Sequence, residues 1–143
     1  MPPRPHSYVS HVLEALRTEF PSGHVVPGRG RGPVDGLVVG PRWTIAVVAR
    51  RPPIRPEELV RGLRGPTAPQ HDGVLFVLDA APASPLVGRV AQQVGTVDVP
   101  RAVACWRPGS DRTTIVAGLQ GIMAVLDARN EFDGDDLEGD ESA

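Results

Sequence analysis

The segment that decides the fold is GPVDGLVVGPRWTIAVVARR, residues 32–51. Two apolar runs, residues 34–39 and 43–50, flank a Gly-Pro pair in this segment. Gly-Pro pairs mark turns, and short runs rich in Val and Ile are typical of strands. The segment therefore predicts a β-hairpin whose first strand opens with an acid, Asp35, and whose second strand closes with Arg50.

Helices and further strands are predicted on both sides of this hairpin. Before it, apolar residues at helical spacing predict a helix over residues 7–20, and a short edge strand follows at residues 24–26. After it, the patterns predict a helix over 55–63, a buried strand over 73–79, a helix over 84–94, a strand over 101–106 and a helix over 111–128.

This order of elements predicts an α/β fold with a mixed central sheet that contains an antiparallel hairpin and is flanked by helices on both faces. The alternative is a doubly wound sheet of the flavodoxin or TIR type, because residues 73–128 alternate between strand and helix. A parallel crossover needs a dozen or more residues, whereas about three residues join the two strands of the hairpin. The short connection favours the mixed sheet.

Composition predicts one folded domain with a tail at each end. The 143 residues suit a single domain over residues 7–129, after a disordered proline-rich lead at residues 1–6 and before a disordered acidic tail at residues 130–143. Residues 1–129 carry all 15 basic residues and ten acids, a net charge of +5, while the tail carries the other seven acids. Every basic residue is arginine, so the chain has no lysine for catalysis or for a phosphate-binding loop.

Several classes of protein are disfavoured by the sequence. No apolar run approaches about 18 residues and the first 40 residues lack the pattern of a secretory leader, so we expect a cytoplasmic protein without a membrane segment. Cys105 lies in an apolar run and is expected to be a packed thiol. The four histidines do not have zinc-ligand spacing with Cys105, and the acids at residues 133–136 lack the spacing of a calcium loop, so no cofactor is expected.

With Asp35 and Arg50 at its two ends, the hairpin and the elements around it resemble the PD-(D/E)XK restriction-endonuclease-like superfamily, especially its Holliday-junction-resolvase-like members. The likeness covers residues 7–106. In that family two acids and a lysine hold Mg²⁺ and position the attacking water. Asp35 matches the first acid and Arg50 the lysine, while Val48 stands where the second acid is expected. The resemblance implies a degenerate site with Asp35, Arg50 and Glu14 as vestigial catalytic residues and Asp35 as the metal ligand; alternatively, Asp35 caps its own loop.

Three arginines are candidates for binding nucleic acid. Arg29 and Arg31 lie in a Gly-rich loop, and Arg51 ends the hairpin. Arginine suits contacts to the phosphate backbone. The alternative for the two arginines at the hairpin's end is an ion pair with Glu57 or Glu58 in the next helix.

Three hypotheses for function follow from these observations. The first is a pseudoenzyme: a catalytically degenerate nuclease-like domain that binds nucleic acid or protein as an accessory module, in a bacterial defence or conflict system by analogy of fold. The second is an adaptor or interaction domain that does not bind nucleic acid. The third is an active Mg²⁺-dependent endonuclease in which Glu14 or another chain completes the site of Asp35. The missing second acid favours the first, and the sequence leaves partner and oligomeric state open.

Overall fold

The computed structural model describes residues 7–20, 24–27, 34–61, 63, 71–97 and 99–142. The helices are α1 (Ser7–Glu19), α2 (Pro56–Arg61), α3 (Pro85–Val94) and α4 (Thr113–Ser142). The strands are β1 (His24–Pro27), β2 (Gly36–Val39), β3 (Thr44–Arg50), β4 (Gly73–Leu78) and β5 (Arg101–Cys105).

The strands form one mixed sheet in the order β1-β2-β3-β4-β5. β1 pairs with β2, and β2 with β3, in antiparallel fashion. β3 pairs with β4, and β4 with β5, in parallel. The predicted mixed sheet with an antiparallel hairpin is confirmed, and the doubly wound alternative is excluded because three consecutive strands run as a meander.

Helices cover both faces of the sheet, as predicted. Because side chains alternate along a strand, each strand contributes to two separate cores. The core under α1 and α4 contains Val38, Ile45, Val47, Leu75 and Val77. The core under α2 and α3 contains Ala46, Val48, Val74, Phe76 and Leu78. The whole of β4 is buried, in agreement with its uninterrupted apolar sequence.

Two contacts fix the sheet against α4. Gly73 opens β4, and a Cβ there would lie 2.6 Å from Cγ2 of Ile122 and 3.2 Å from the carbonyl oxygen of Pro100. Only glycine permits this close approach of helix and strand. At the start of β3, the indole Nε1 of Trp43 donates a hydrogen bond to Asp127 over 3.2 Å, so the hairpin turn is held to the same helix.

Helix α4 is longer than predicted. It begins at Thr113, whose amide donates to the Asp111 carboxylate over 2.7 Å, and its last described core residue is Leu126. The helix ends at Ser142, and the disorder expected for residues 130–143 stays a prediction. The predicted lead, residues 1–6, lies outside the described residues.

None of the helices in the described part of the chain combines the length and the apolar character needed to cross a lipid bilayer.

Candidate functional site

Asp35 is held against the end of β3. Its amide donates to the Val47 carbonyl over 2.9 Å, although Val47 is the register partner of the next residue, Gly36. Its Oδ2 accepts the amide of Ala49 over 2.8 Å and also accepts a hydrogen bond from Nη1 of Arg50. The Asp35 side chain thus bonds to the last residues of β3. Asp35 and Arg50, which lie at the two ends of the predicted hairpin, form one ion pair.

The surroundings of Asp35 do not fit a Mg²⁺ site. The β2–β3 register ends at the pair of Gly36 and Val47, and Val48, the next residue of β3, is fully buried in the core under α2 and α3. Mg²⁺ needs hard oxygen ligands, and the Arg50 guanidinium puts positive charge against the Asp35 carboxylate. Among the residues that the structure describes, no cluster of three or more His, Cys, Asp or Glu is arranged to hold a metal ion.

A second carboxylate lies at the same end of the sheet. Asp79 directly follows β4, and its amide donates to the Arg50 carbonyl over 3.0 Å. Its Oδ1 lies 3.2 Å from Nε of Arg107, and its Oδ2 lies 4.0 Å from Nε of Arg51. We call Asp35, Arg50, Arg51, Asp79 and Arg107 the charged edge. It occupies the carboxyl ends of β3, β4 and β5, which is where open α/β sheets commonly bind ligands.

The pairing of the two hairpin arginines differs from the predicted alternative. Arg50 pairs with Asp35 and Arg51 with Asp79, whereas Glu58 of α2 lies 3.4 Å from Arg55. The structure thus unites Asp35, Arg50 and Arg51 at one end of the sheet. Arg29 and Arg31, the other predicted nucleic-acid contacts, lie outside the described residues.

Glu14 lies in a different place. It is an exposed residue of α1 whose Oε2 is 3.4 Å from Nη1 of Arg17. It lines a cleft of about 890 Å³ between α1 and the start of α4, together with His11, Trp106 and Asp111. Neither Asp35 nor Arg50 lines this cleft.

Tyr8 connects α1 to the sheet near the charged edge. Its buried hydroxyl donates to the Trp106 carbonyl over 2.9 Å, which ties α1 to the end of β5. Burial, and to a smaller extent the nearby charge of Asp79, raises the pKa of the Tyr8 phenol well above its ordinary value of 10.0. Cys105 is half-buried at the end of β5, and burial raises the pKa of its thiol too. A raised pKa leaves the thiol protonated near neutral pH, so Cys105 is not an activated nucleophile.

Sequence reasoning missed Asp79 and Arg107. Each is the first charged residue after a parallel strand, β4 and β5 respectively. Because parallel strands end at the same edge of a sheet, this position in the sequence was a usable signal.

Comparisons with protein-family models, with curated proteins and with solved structures return no match to this chain.

Proposed function

We propose that this chain is a catalytically degenerate nuclease-like domain that binds nucleic acid through phosphate contacts at its charged edge. The observation that carries the proposal is the ion pair between Asp35 and Arg50, with the buried Val48 two residues before Arg50. Asp35 and Arg50 match the first acid and the lysine in the resemblance to the nuclease superfamily, but the Ala49 amide and the Arg50 guanidinium occupy the Asp35 carboxylate. The element order and the mixed sheet support the same proposal.

The charged edge has the chemistry to bind phosphate. Three arginines face two carboxylates there, which leaves a net positive charge. The side chains of Arg51 and Arg107 are 56% and 66% exposed although both contact Asp79. A guanidinium carries five N–H donors in a planar fork that matches phosphate oxygens. Two arginines that share one carboxylate therefore keep N–H donors for a phosphate. Contacts of this kind position a backbone without selecting a base sequence.

Fluorescence anisotropy with labelled single-stranded and duplex oligonucleotides tests the proposal. At about 50 mM salt we expect binding of DNA or RNA that weakens at least tenfold by about 300 mM, because arginine contacts release counterions. The double variant Arg51→Ala, Arg107→Ala should weaken binding about tenfold or more at low salt. Arg89→Ala, which removes an exposed arginine of α3 outside the charged edge, is the matched control.

Two outcomes would contradict this proposal. Absence of binding to any oligonucleotide at low ionic strength would favour the adaptor domain over the nucleic-acid-binding module. Plasmid cleavage in Mg²⁺ or Mn²⁺ that disappears in Asp35→Ala would show an active nuclease, and the degenerate assignment would then be wrong.

A further inference from the structure

Asp79 shares one carboxylate between two arginines. Its Oδ1 lies 3.2 Å from Nε of Arg107, and its Oδ2 lies 4.0 Å from Nε of Arg51. The side chain of Asp79 is 21% exposed, whereas both arginine side chains are more than half exposed. The carboxylate is therefore the least exposed of the three groups, and a ligand in solution can reach both guanidinium groups.

Strand pairing fixes the backbone at this point of the charged edge. Asp79 directly follows β4, and its amide donates to the carbonyl of Arg50 at the end of β3 over 3.0 Å. The residue before it, Leu78, accepts the amide of Trp106 over 2.9 Å. Trp106 directly precedes Arg107. The positions of the carboxylate and of its arginine partners are thus set by the ends of three neighbouring strands.

The contacts of Asp79 with the two arginines are weak ones. The distance of 4.0 Å to Arg51 exceeds the length of a hydrogen bond. Ion pairs between exposed side chains contribute little free energy, because water and salt screen them. A phosphate can accept two parallel hydrogen bonds from a guanidinium, which is a stronger arrangement. A phosphate is therefore a better partner for these arginines than the carboxylate that they share.

We infer that Asp79 makes an autoinhibitory contact at the charged edge, in which its carboxylate occupies the place of a backbone phosphate between Arg51 and Arg107. An incoming phosphate displaces the carboxylate. This inference rests on the proposed function and adds to it a residue that opposes binding. Three arginines and two carboxylates give the charged edge a net charge of +1, and removal of the charge of Asp79 would raise it to +2.

An asparagine at position 79 separates the effect of charge from that of shape. The side chain keeps nearly the same size, and its amide oxygen can still accept a hydrogen bond from Arg107. Because exposed ion pairs add little stability, Asp79→Asn should unfold at nearly the same urea concentration as wild type. If Asp79 only held the arginines in place, the variant would bind no better than wild type. If the carboxylate competes with phosphate, the variant binds more tightly.

Fluorescence anisotropy with labelled oligonucleotides measures this difference. At about 50 mM salt, Asp79→Asn should bind about fivefold more tightly than wild type, since it removes a negative charge a few ångströms from the phosphate. The gain should shrink at about 300 mM salt, where charges are screened. Glu14→Gln is the matched control, because it removes one charge from an exposed acid that also pairs with an arginine, Arg17 at 3.4 Å. The control should change the affinity less than about twofold.

The outcomes distinguish this inference from the proposed function. Equal affinities of wild type, Asp79→Asn and Glu14→Gln, or weaker binding by Asp79→Asn, would overturn the inference and leave nucleic-acid binding in place. Absence of binding by all three chains would contradict both.

A combined variant tests whether Asp79 acts through the two arginines. In the background of Arg51→Ala, Arg107→Ala, the gain from Asp79→Asn should fall below about twofold, because the groups that the carboxylate occupies are gone. A gain as large as in the wild-type background would show that Asp79 acts only as a general negative charge, and the autoinhibitory contact would be wrong.

Nuclear magnetic resonance of the arginine Nε–H groups follows the displacement directly. The signals of Arg51 and Arg107 are assigned from the variants Arg51→Ala and Arg107→Ala. Saturating oligonucleotide should shift both signals in the wild-type chain, and Asp79→Asn should shift the Arg107 signal without any ligand. Arg17, whose Nε donates to the Val25 carbonyl over 3.2 Å, is the internal control and should not shift. Binding that leaves the Arg107 signal unchanged would overturn the inference.

Discussion

Arg50 and Asp35, fifteen residues apart in the chain, form an ion pair that closes the open end of the β2–β3 hairpin. The amide of Ala49 shares the same carboxylate oxygen. Asp35 thus caps the end of β3, and its first measurable effect should be on stability.

Asp35→Ala should lower the free energy of unfolding by about 1–2 kcal/mol, because it leaves the Ala49 amide without its acceptor and removes the carboxylate that pairs with Arg50. Asp35→Asn should cost less, since its amide oxygen can still accept from Ala49. Urea unfolding followed by circular dichroism measures both. Glu57→Ala, an exposed acid of α2, is the control and should stay within about 0.5 kcal/mol of wild type. If the Asp35→Ala and Glu57→Ala variants unfold alike, Asp35 is not a structural cap.

An acid at position 48 should damage the fold. Val48 is fully buried, so Val48→Glu places a carboxylate in an apolar core at a cost of about 3 kcal/mol or more. Val48→Ala removes only methyl groups and should cost about 1–3 kcal/mol. Thermal and urea unfolding with and without Mg²⁺ compare the two variants. A Val48→Glu chain that is as stable as wild type and is further stabilised by Mg²⁺ would show that the site can be rebuilt.

Gly73 should not tolerate a side chain. Gly73→Ala brings a Cβ within 2.6 Å of Cγ2 of Ile122, a branched atom that cannot rotate away easily. We expect a loss of about 1–3 kcal/mol from this overpacking. Gly88→Ala makes the same chemical change at an open helical position and should stabilise α3 by about 0.5–1 kcal/mol. The urea concentration at the midpoint of unfolding, measured for both variants and wild type, tests this prediction. Equal midpoints for Gly73→Ala and wild type would mean that the contact between α4 and β4 adjusts to the added methyl group.

Tyr8 should make stability fall in alkaline solution. Its pKa is raised in the folded state from the ordinary 10.0, so the unfolded chain loses the phenolic proton first. The stabilising effect is complete below pH 10.0 and is lost as the pH rises above that value toward the folded pKa. Tyr8→Phe should cost about 1 kcal/mol near neutral pH, since the Trp106 carbonyl loses its donor. The free energy of unfolding, measured at a series of pH values, should fall less steeply in alkaline solution for Tyr8→Phe than for wild type. Parallel curves for the two chains would contradict this assignment.

Local patterns were sufficient to predict most of the secondary structure. The alternation of apolar residues and the Gly-Pro turn predicted the hairpin, and the unbroken apolar run of residues 73–78 predicted a strand buried on both faces. The absence of an acid at Val48, two residues before Arg50, was visible in the sequence alone. The length of α4 was not predicted, because its last turns extend beyond the apolar stripe that marked the helix.

The sequence by itself determined the kinds and order of the elements, because periodicity and turn chemistry act over a few residues. Only the tertiary structure decided which charges meet. Asp79 contacts Arg51 and Arg107 because β3, β4 and β5 lie side by side and end together, and sheet order joins residues far apart in the chain. It also left β5 at an edge. Strand pairing and the assignment of helices to each face are long-range properties, and they placed Asp35 with Asp79 and three arginines in the charged edge.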